Sequence, residues 1–114
     1  MELFIAVINN PNKIEEVLEA FLEIGITGAT IVDSFGMGKI LSQDIPIFAG
    51  FRHLLTGSSS ANKTIFSVIE DEAKVEAAFK SLEAICGNLD SPSTGIAFTI
   101  AINKVLGLRP GWDE

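Results

Sequence analysis

The chain alternates between apolar runs and amphipathic segments in an order that predicts strands and helices. Leu3–Ile8 is a continuous apolar run, which indicates a buried strand. The following segment has apolar residues at helical spacing and glutamates on the other face, and Gly25 marks its left-handed end. Either Asn10, before a proline, or Asn12, three positions before a glutamate, provides the helix start. Ala29–Phe35 then alternates as a second strand.

The second half of the chain repeats this order. Thr64–Ile69 predicts a third strand, Asp71 caps a second helix, and Ile96–Val105 predicts a fourth strand that is largely apolar on both faces. A shift of 61 residues superposes similar residues of the two halves, such as Lys13 on Lys74. Two strand–helix–strand units predict an α+β, ferredoxin-like βαββαβ fold, in which both helices cover one face of a four-stranded antiparallel sheet.

This fold leaves the other face of the sheet uncovered. The first and fourth predicted strands are too apolar for that face to lie in water, so we expect another copy of the chain to cover it. Apolar residues make up 47% of the 114 residues, which is typical of one globular domain spanning residues 1–114.

The segment between the second and third strands matches neither a helix nor a strand. Gly36–Asn62 is long for a loop inside a compact domain, and such loops are usually functional or disordered. It is also apolar enough to pack, and Phe48–Leu55 is expected to form a short helix that docks on a neighbouring subunit. The residues that we expect to contact a protein partner are Phe48, Phe51, Arg52 and His53.

Charge and composition exclude several classes of function. The net charge of −7 argues against nucleic-acid binding, which needs lysines and arginines to displace counterions from phosphates. No apolar run is long enough to insert into a membrane, and the first residues lack a signal peptide, so we expect a cytoplasmic protein. With Cys86 the sole cysteine and His53 the sole histidine, we expect neither a metal site nor an enzyme.

Two glycine-containing segments are candidates for binding a small anion. Gly36-Met37-Gly38 lacks the third glycine of a dinucleotide fingerprint, but with Lys39 it forms a hinge with a basic group at the loop base. The turn at 91–95 either points N–H groups and hydroxyls at an anion or simply joins a helix to a strand. The candidate ligand-binding residues are Gly36, Met37, Gly38, Lys39, Ser93, Thr94, Gly95, Lys104 and Arg109.

Three short stretches resemble the PII signal-transduction family of nitrogen regulators: Val17–Ala20, Gly25–Ile31 and Phe35-Gly36. Ser93–Arg109 also aligns without gaps with the B-loop and fourth strand of that family. The resemblance implies a homotrimer whose sheets face inward, with an adenine nucleotide in the cleft between subunits. It further implies that the long loop, the family's T-loop, contacts a target protein such as a transporter or an enzyme.

The alignment places the candidate residues around that cleft. Residues 36–38 fall at the base of the T-loop, residues 93–95 fall in the B-loop, and Lys104 and Arg109 fall toward the C-terminal side. The loop base is expected to lie next to the 93–95 turn.

Several positions depart from the family pattern. The B-loop lysine of the family falls on Ile96, one of its C-terminal arginines on Gly107, and its T-loop glutamine, which helps to hold 2-oxoglutarate, on Gly38. The chain has no tyrosine, so the family's uridylylation has no acceptor here. The resemblance therefore implies a divergent member with a changed ligand or none.

Three functions remain open on the sequence. The first is a PII-like trimeric regulator, linked to nitrogen or another metabolite, that senses a small ligand and acts through the 36–62 loop. The alternative is a trimeric binding protein like the divalent-cation tolerance family, which shares the fold, although His53 is the only imidazole. The third is a small enzyme of ferredoxin-like fold, which the absence of a plausible pair of acids disfavours.

Overall fold

A computed structural model describes residues 1–37, 62–89 and 95–108. Its elements follow the predicted order of strand, helix, strand, long connection, strand, helix and strand. They are β1 (Glu2–Ile8), a 3-10 turn (Pro11–Lys13), α1 (Ile14–Ile24), β2 (Thr30–Ser34), β3 (Asn62–Ile69), α2 (Glu72–Cys86) and β4 (Gly95–Ala101).

The four strands form one antiparallel sheet in the order β2-β3-β1-β4. The strands β1 and β3, which begin the two halves, are central, and β2 and β4 lie at the edges. The α+β, ferredoxin-like arrangement expected from the sequence is confirmed.

Both helices pack on one face of the sheet. Phe4 of β1 is fully buried and makes edge-to-face contacts with Phe21 of α1 and Phe79 of α2, with ring centroids 5.8 and 4.9 Å apart. This geometry adds to the hydrophobic gain from burial. The other buried members of the core are Ala6, Ile8, Val17, Ile26, Ile65, Ile69, Val75, Ala78 and Leu82.

The helix ends follow local sequence signals. Of the two predicted starts, Asn10 is the one used, and it caps the 3-10 turn that leads into α1: its side chain accepts a hydrogen bond from the N–H of Asn12 at 3.0 Å. Asp71 caps α2 in the same way, accepting from the N–H of Ala73 at 2.9 Å. Gly25 ends α1 with φ of 101°, a left-handed conformation that glycine adopts without strain.

The fourth strand is shorter than its apolar pattern predicts. It ends at Ala101 rather than Val105, because its partner β1 begins at Glu2 and Ile102 makes only one further backbone bond, to Met1. On the helix-facing side of this strand, one polar residue interrupts the apolar pattern that the sequence predicts. Its helix-facing side is small and partly polar, and Thr99 there donates to the Glu2 carboxylate at 2.7 Å.

The face away from the helices, here called the open face, is apolar. Residues paired across a ladder point to the same side, so the register identifies its members. Its apolar side chains are Leu3, Ile5, Val7, Val32, Phe66, Val68, Ile96, Phe98 and Ile100. No open-face position within the four described strands carries a charge. The uncovered apolar face expected from the sequence is therefore present.

Candidate functional site

The loop base and the start of β4 lie at the same end of the sheet but on opposite sides. Ser34 of β2 pairs with Asn62, and Ile8 at the end of β1 pairs with Gly95. Gly36 therefore lies just beyond the end of one edge strand, β2. Gly95 is the first residue of the other edge strand, β4. With β3 and β1 between them, the two edge strands are ~14 Å apart. A ligand that touches both must be large or must sit between two subunits.

Lys104 lies at the opposite end of the sheet. The strand β4 runs from Gly95 to Ala101, about 20 Å, and Lys104 follows its far end as an exposed residue. Within one subunit it does not join Gly36 and Gly95 in a single site. The exposed side chain of Met37 is beside Gly36, at the loop base.

Four neutral polar side chains meet on the open face at the loop base, and we name them the loop-end cluster: Asn9, Ser34, Asn62 and Thr64. The hydroxyl of Ser34 contacts that of Thr64 at 2.7 Å and donates to Oδ1 of Asn62. Nδ2 of Asn62 donates to Oδ1 of Asn9 at 3.2 Å. Asn62 and Thr64 are each 7% exposed, so these bonds satisfy groups that water reaches poorly.

This cluster is not among the functional candidates that the sequence predicts. The pattern of the sequence ends the loop at Asn62, whereas Asn62 is the first residue of β3. The available signal was the change from the apolar positions Phe66 and Val68 to the polar Thr64 and Asn62 along one face of that strand. Ser34 joins them only because β2 pairs with β3 in this register.

Two glycines at this end of the sheet lie against other groups. A Cβ atom on Gly36 would lie 3.4 Å from Nδ2 of Asn62, so the loop base rests on the cluster. Gly95 has φ of 140°, and a Cβ there would lie 2.2 Å from the carbonyl oxygen of Val7. Any larger residue at Gly95 would displace β4 from β1.

The charged residues near the loop base lie on the helix-covered face of the sheet, opposite the loop-end cluster. Lys63 and Asp33 pair across β3 and β2 on the helix side, and Nζ of Lys63 donates to Oδ1 of Asp33. The open face at this end therefore offers uncharged hydrogen-bonding groups, together with the backbone at Gly36 and Gly95.

Cys86, at the end of α2, packs against the core. Burial raises the pKa of its thiol, a nearby Lys13 lowers that pKa, and Glu16 raises it. No local pattern in the sequence indicates that Lys13 approaches this thiol, since 73 positions separate the two residues. Because burial is the larger effect, Cys86 is a protonated, weakly nucleophilic thiol near neutral pH.

A groove of about 260 Å³ lies between α2 and β4. Its lining residues are Phe79, Glu83, Asn88, Leu89, Gly95, Ile96 and Ala97. Among these lining residues, Glu83 alone carries a charge. The strands β1 and β3 separate the groove from the loop base.

Several candidate residues lie outside the described part of the chain. They are Gly38, Lys39, Phe48, Phe51, Arg52, His53, Ser93, Thr94 and Arg109, together with the helix predicted at Phe48–Leu55. Within residues 1–37, 62–89 and 95–108, no three histidine, cysteine, aspartate or glutamate side chains lie close enough to hold a metal ion. Over the same residues, no helix combines the length and apolar character needed to span a bilayer.

Comparison with known families decides the relationship. The family model of the nitrogen regulatory protein P-II matches residues 1–112, which is nearly the whole chain. This chain belongs to the P-II family. The family comprises signal-transduction regulators that are generally trimeric and that act on partner proteins. A search of curated proteins finds no match to the P-II chain described here.

Proposed function

We propose that the chain is a trimeric P-II regulator that binds a small ligand between subunits and acts on a protein target through residues 36–62. The observation that carries this proposal is the open face, with nine apolar side chains and no charge within the described strands. An apolar sheet face of this size is unfavourable in water and is expected to be buried against another surface. A closed ring of identical subunits buries it without exposing a further apolar surface.

The positions of the two glycine segments support a ligand site between subunits. Gly36 and Gly95 lie at one end of the sheet, at opposite edges, so one subunit offers only half of a site at each edge. In a ring, the β2 edge of one subunit meets the β4 edge of the next, which supplies both halves. The proposed ligand is an adenine nucleotide or another small anion, with Lys39, Ser93, Thr94 and Arg109 as further contacts.

Residues 36–62 are the part of the chain that, on this proposal, contacts the protein target. Phe48, Phe51, Arg52 and His53 combine apolar and charged contacts, a composition typical of protein interfaces. Regulation follows if the ligand binds one loop arrangement more tightly than another, because the population then shifts by that difference in affinity. The domain, on this proposal, spans residues 1–114, lies in the cytoplasm and catalyses no reaction.

Two measurements test the proposal. Native mass spectrometry of protein taken directly from its expression host is expected to show a trimer, together with the mass of any retained ligand. An adenine nucleotide or another small anion is expected to raise the melting temperature. A monomer, or no shift across a nucleotide panel at millimolar concentration, would refute the corresponding half of the proposal.

The alternative, a binding protein like the divalent-cation tolerance family, has a separate test. Equilibrium dialysis with copper and zinc would reveal it as stoichiometric binding. No arrangement of metal-ligating side chains in the described residues favours this alternative.

A further inference from the structure

The loop-end cluster connects three places that are distant in sequence. Ser34 stands where the chain enters residues 38–61, Asn62 stands where it leaves them, and Asn9 directly follows β1. The side chain of Asn62 is central, because Oδ1 accepts from Ser34 while Nδ2 donates to Asn9 at 3.2 Å. The backbone at Gly36 also rests against this amide. A displacement of the loop base therefore acts on the bond to Asn9.

Asn9 leads directly into the turn that starts α1. The next residue, Asn10, accepts from the N–H of Asn12 through its side chain at 3.0 Å and from the N–H of Lys13 through its carbonyl at 3.1 Å. These bonds make residues 9–13 one connected unit. The bond between Asn62 and Asn9 is thus a link from the loop base to the first helix.

The far side of this turn approaches Cys86. Lys13 pairs with Glu16 at 3.7 Å, and both charges act on the Cys86 thiol. Cys86 is the only cysteine in the chain. Its reaction with a thiol reagent therefore reports local opening at this place without any engineered label.

We propose that Asn62 is a positioning residue that couples the base of the 38–61 segment to the start of α1 within one subunit. The inference rests on the proposed function only in assigning the loop an effector role, since the coupling itself requires no ligand. A ligand or partner that moves the loop base would thereby also alter the turn at residues 9–13. The first helix would then present a second surface that changes with the state of the loop.

The first test measures the reaction of Cys86 with 5,5′-dithiobis(2-nitrobenzoic acid) in the full chain. Asn62→Ala and Asn9→Ala are each expected to raise the rate of Cys86 modification about two- to tenfold. This is the factor that corresponds to one hydrogen bond, which must break for local opening in the wild type and is absent from either variant. Asn9→Asp keeps the acceptor oxygen for Asn62 and is expected to react at the wild-type rate. Asn103→Ala, an exposed asparagine beyond the far end of β4, is the matched control.

The second test asks whether the link works in both directions, as energetic coupling must. Asn9→Ala is expected to speed amide hydrogen exchange at Gly36 and Met37, although these follow β2 and Asn9 follows β1. Ser34→Ala is expected to speed modification of Cys86. Asn9 and Ser34 are only half-buried, so these variants carry the test even where Asn62→Ala fails to fold.

The double variant Asn9→Ala/Asn62→Ala separates a shared bond from two independent effects. If one bond links the residues, the Cys86 rate of the double variant equals that of the faster single variant. Rates that multiply, rates that match the wild type in Asn9→Ala, or an equal rise in Asn103→Ala would overturn the coupling. If the wild-type chain binds no nucleotide while the Cys86 rates are as expected, the proposed ligand is refuted and the coupling stands.

Discussion

Phe98 is the position where the apolar open face is most directly tested. It lies in the middle of β4 and is 40% exposed in the single chain, between Ile96 at 57% and Ile100 at 51%. If copies of the chain cover this face, Phe98→Ala removes contact between subunits as well as contact within one. The expected result is weaker association of subunits that remain folded.

The size of the effect follows from the exposed area. Forty per cent of the roughly 200 Å² of a phenylalanine side chain is about 80 Å², worth about 2 kcal/mol on burial. Three subunits lose about 6 kcal/mol together. The midpoint concentration of a monomer–trimer equilibrium varies as the square root of the dissociation constant, so it rises about a hundredfold.

Sedimentation velocity over a wide range of protein concentration measures that midpoint. Leu22→Ala is the matched control, because Leu22 is an apolar residue with 55% exposure that lies on α1, outside the open face. The control is expected to associate like the wild type. An unchanged midpoint for Phe98→Ala, or an equal change for Leu22→Ala, would show that the open face is not the interface.

Three further predictions address the fold and the thiol. Phe4→Ala is expected to lower the free energy of unfolding by about 3–5 kcal/mol in urea, because it empties a fully buried site; a loss below 1 kcal/mol contradicts this packing. Gly95→Ala is expected to lower the melting temperature more than Gly87→Ala, because only at Gly95 would the added Cβ meet a backbone atom; equal losses contradict this. Since burial raises the pKa of Cys86, its modification rate is expected to reach half-maximum at a higher pH than free cysteine, and the stability from the buried neutral thiol is lost as pH rises through that pKa. A midpoint at or below that of free cysteine would contradict the burial.

Much of the fold was predictable because its signals are local. Alternation and helical spacing identified the strands and helices, and single residues such as Asp71 and Gly25 defined where helices begin or end. The order of elements and the internal repeat then restricted the topology to a split β-α-β pair. The apolar open face follows from the same pattern, since the strands carry more apolar residues than one helix layer covers.

The length of β4 was not predictable from its own residues. The apolar pattern continues to Val105, but a strand needs a partner, and the ladder with β1 extends only to the pair of Glu2 and Ala101. The distance between candidate ligand residues was not predictable either. The alignment places Gly95 and Lys104 around a cleft between subunits, and within one subunit an extended strand of about 20 Å separates them.

The sequence by itself determined the elements, their order, the uncovered apolar face and the family resemblance, because each depends on short-range patterns. The tertiary structure alone decided which polar residues meet. Asn9, Ser34, Asn62 and Thr64 come from three different strands or their ends, and only the pairing register brings them into one hydrogen-bonded cluster. The approach of Lys13 to Cys86 likewise depends on how α1 packs against α2. Contacts of this kind depend on long-range packing, which no local pattern in the chain encodes.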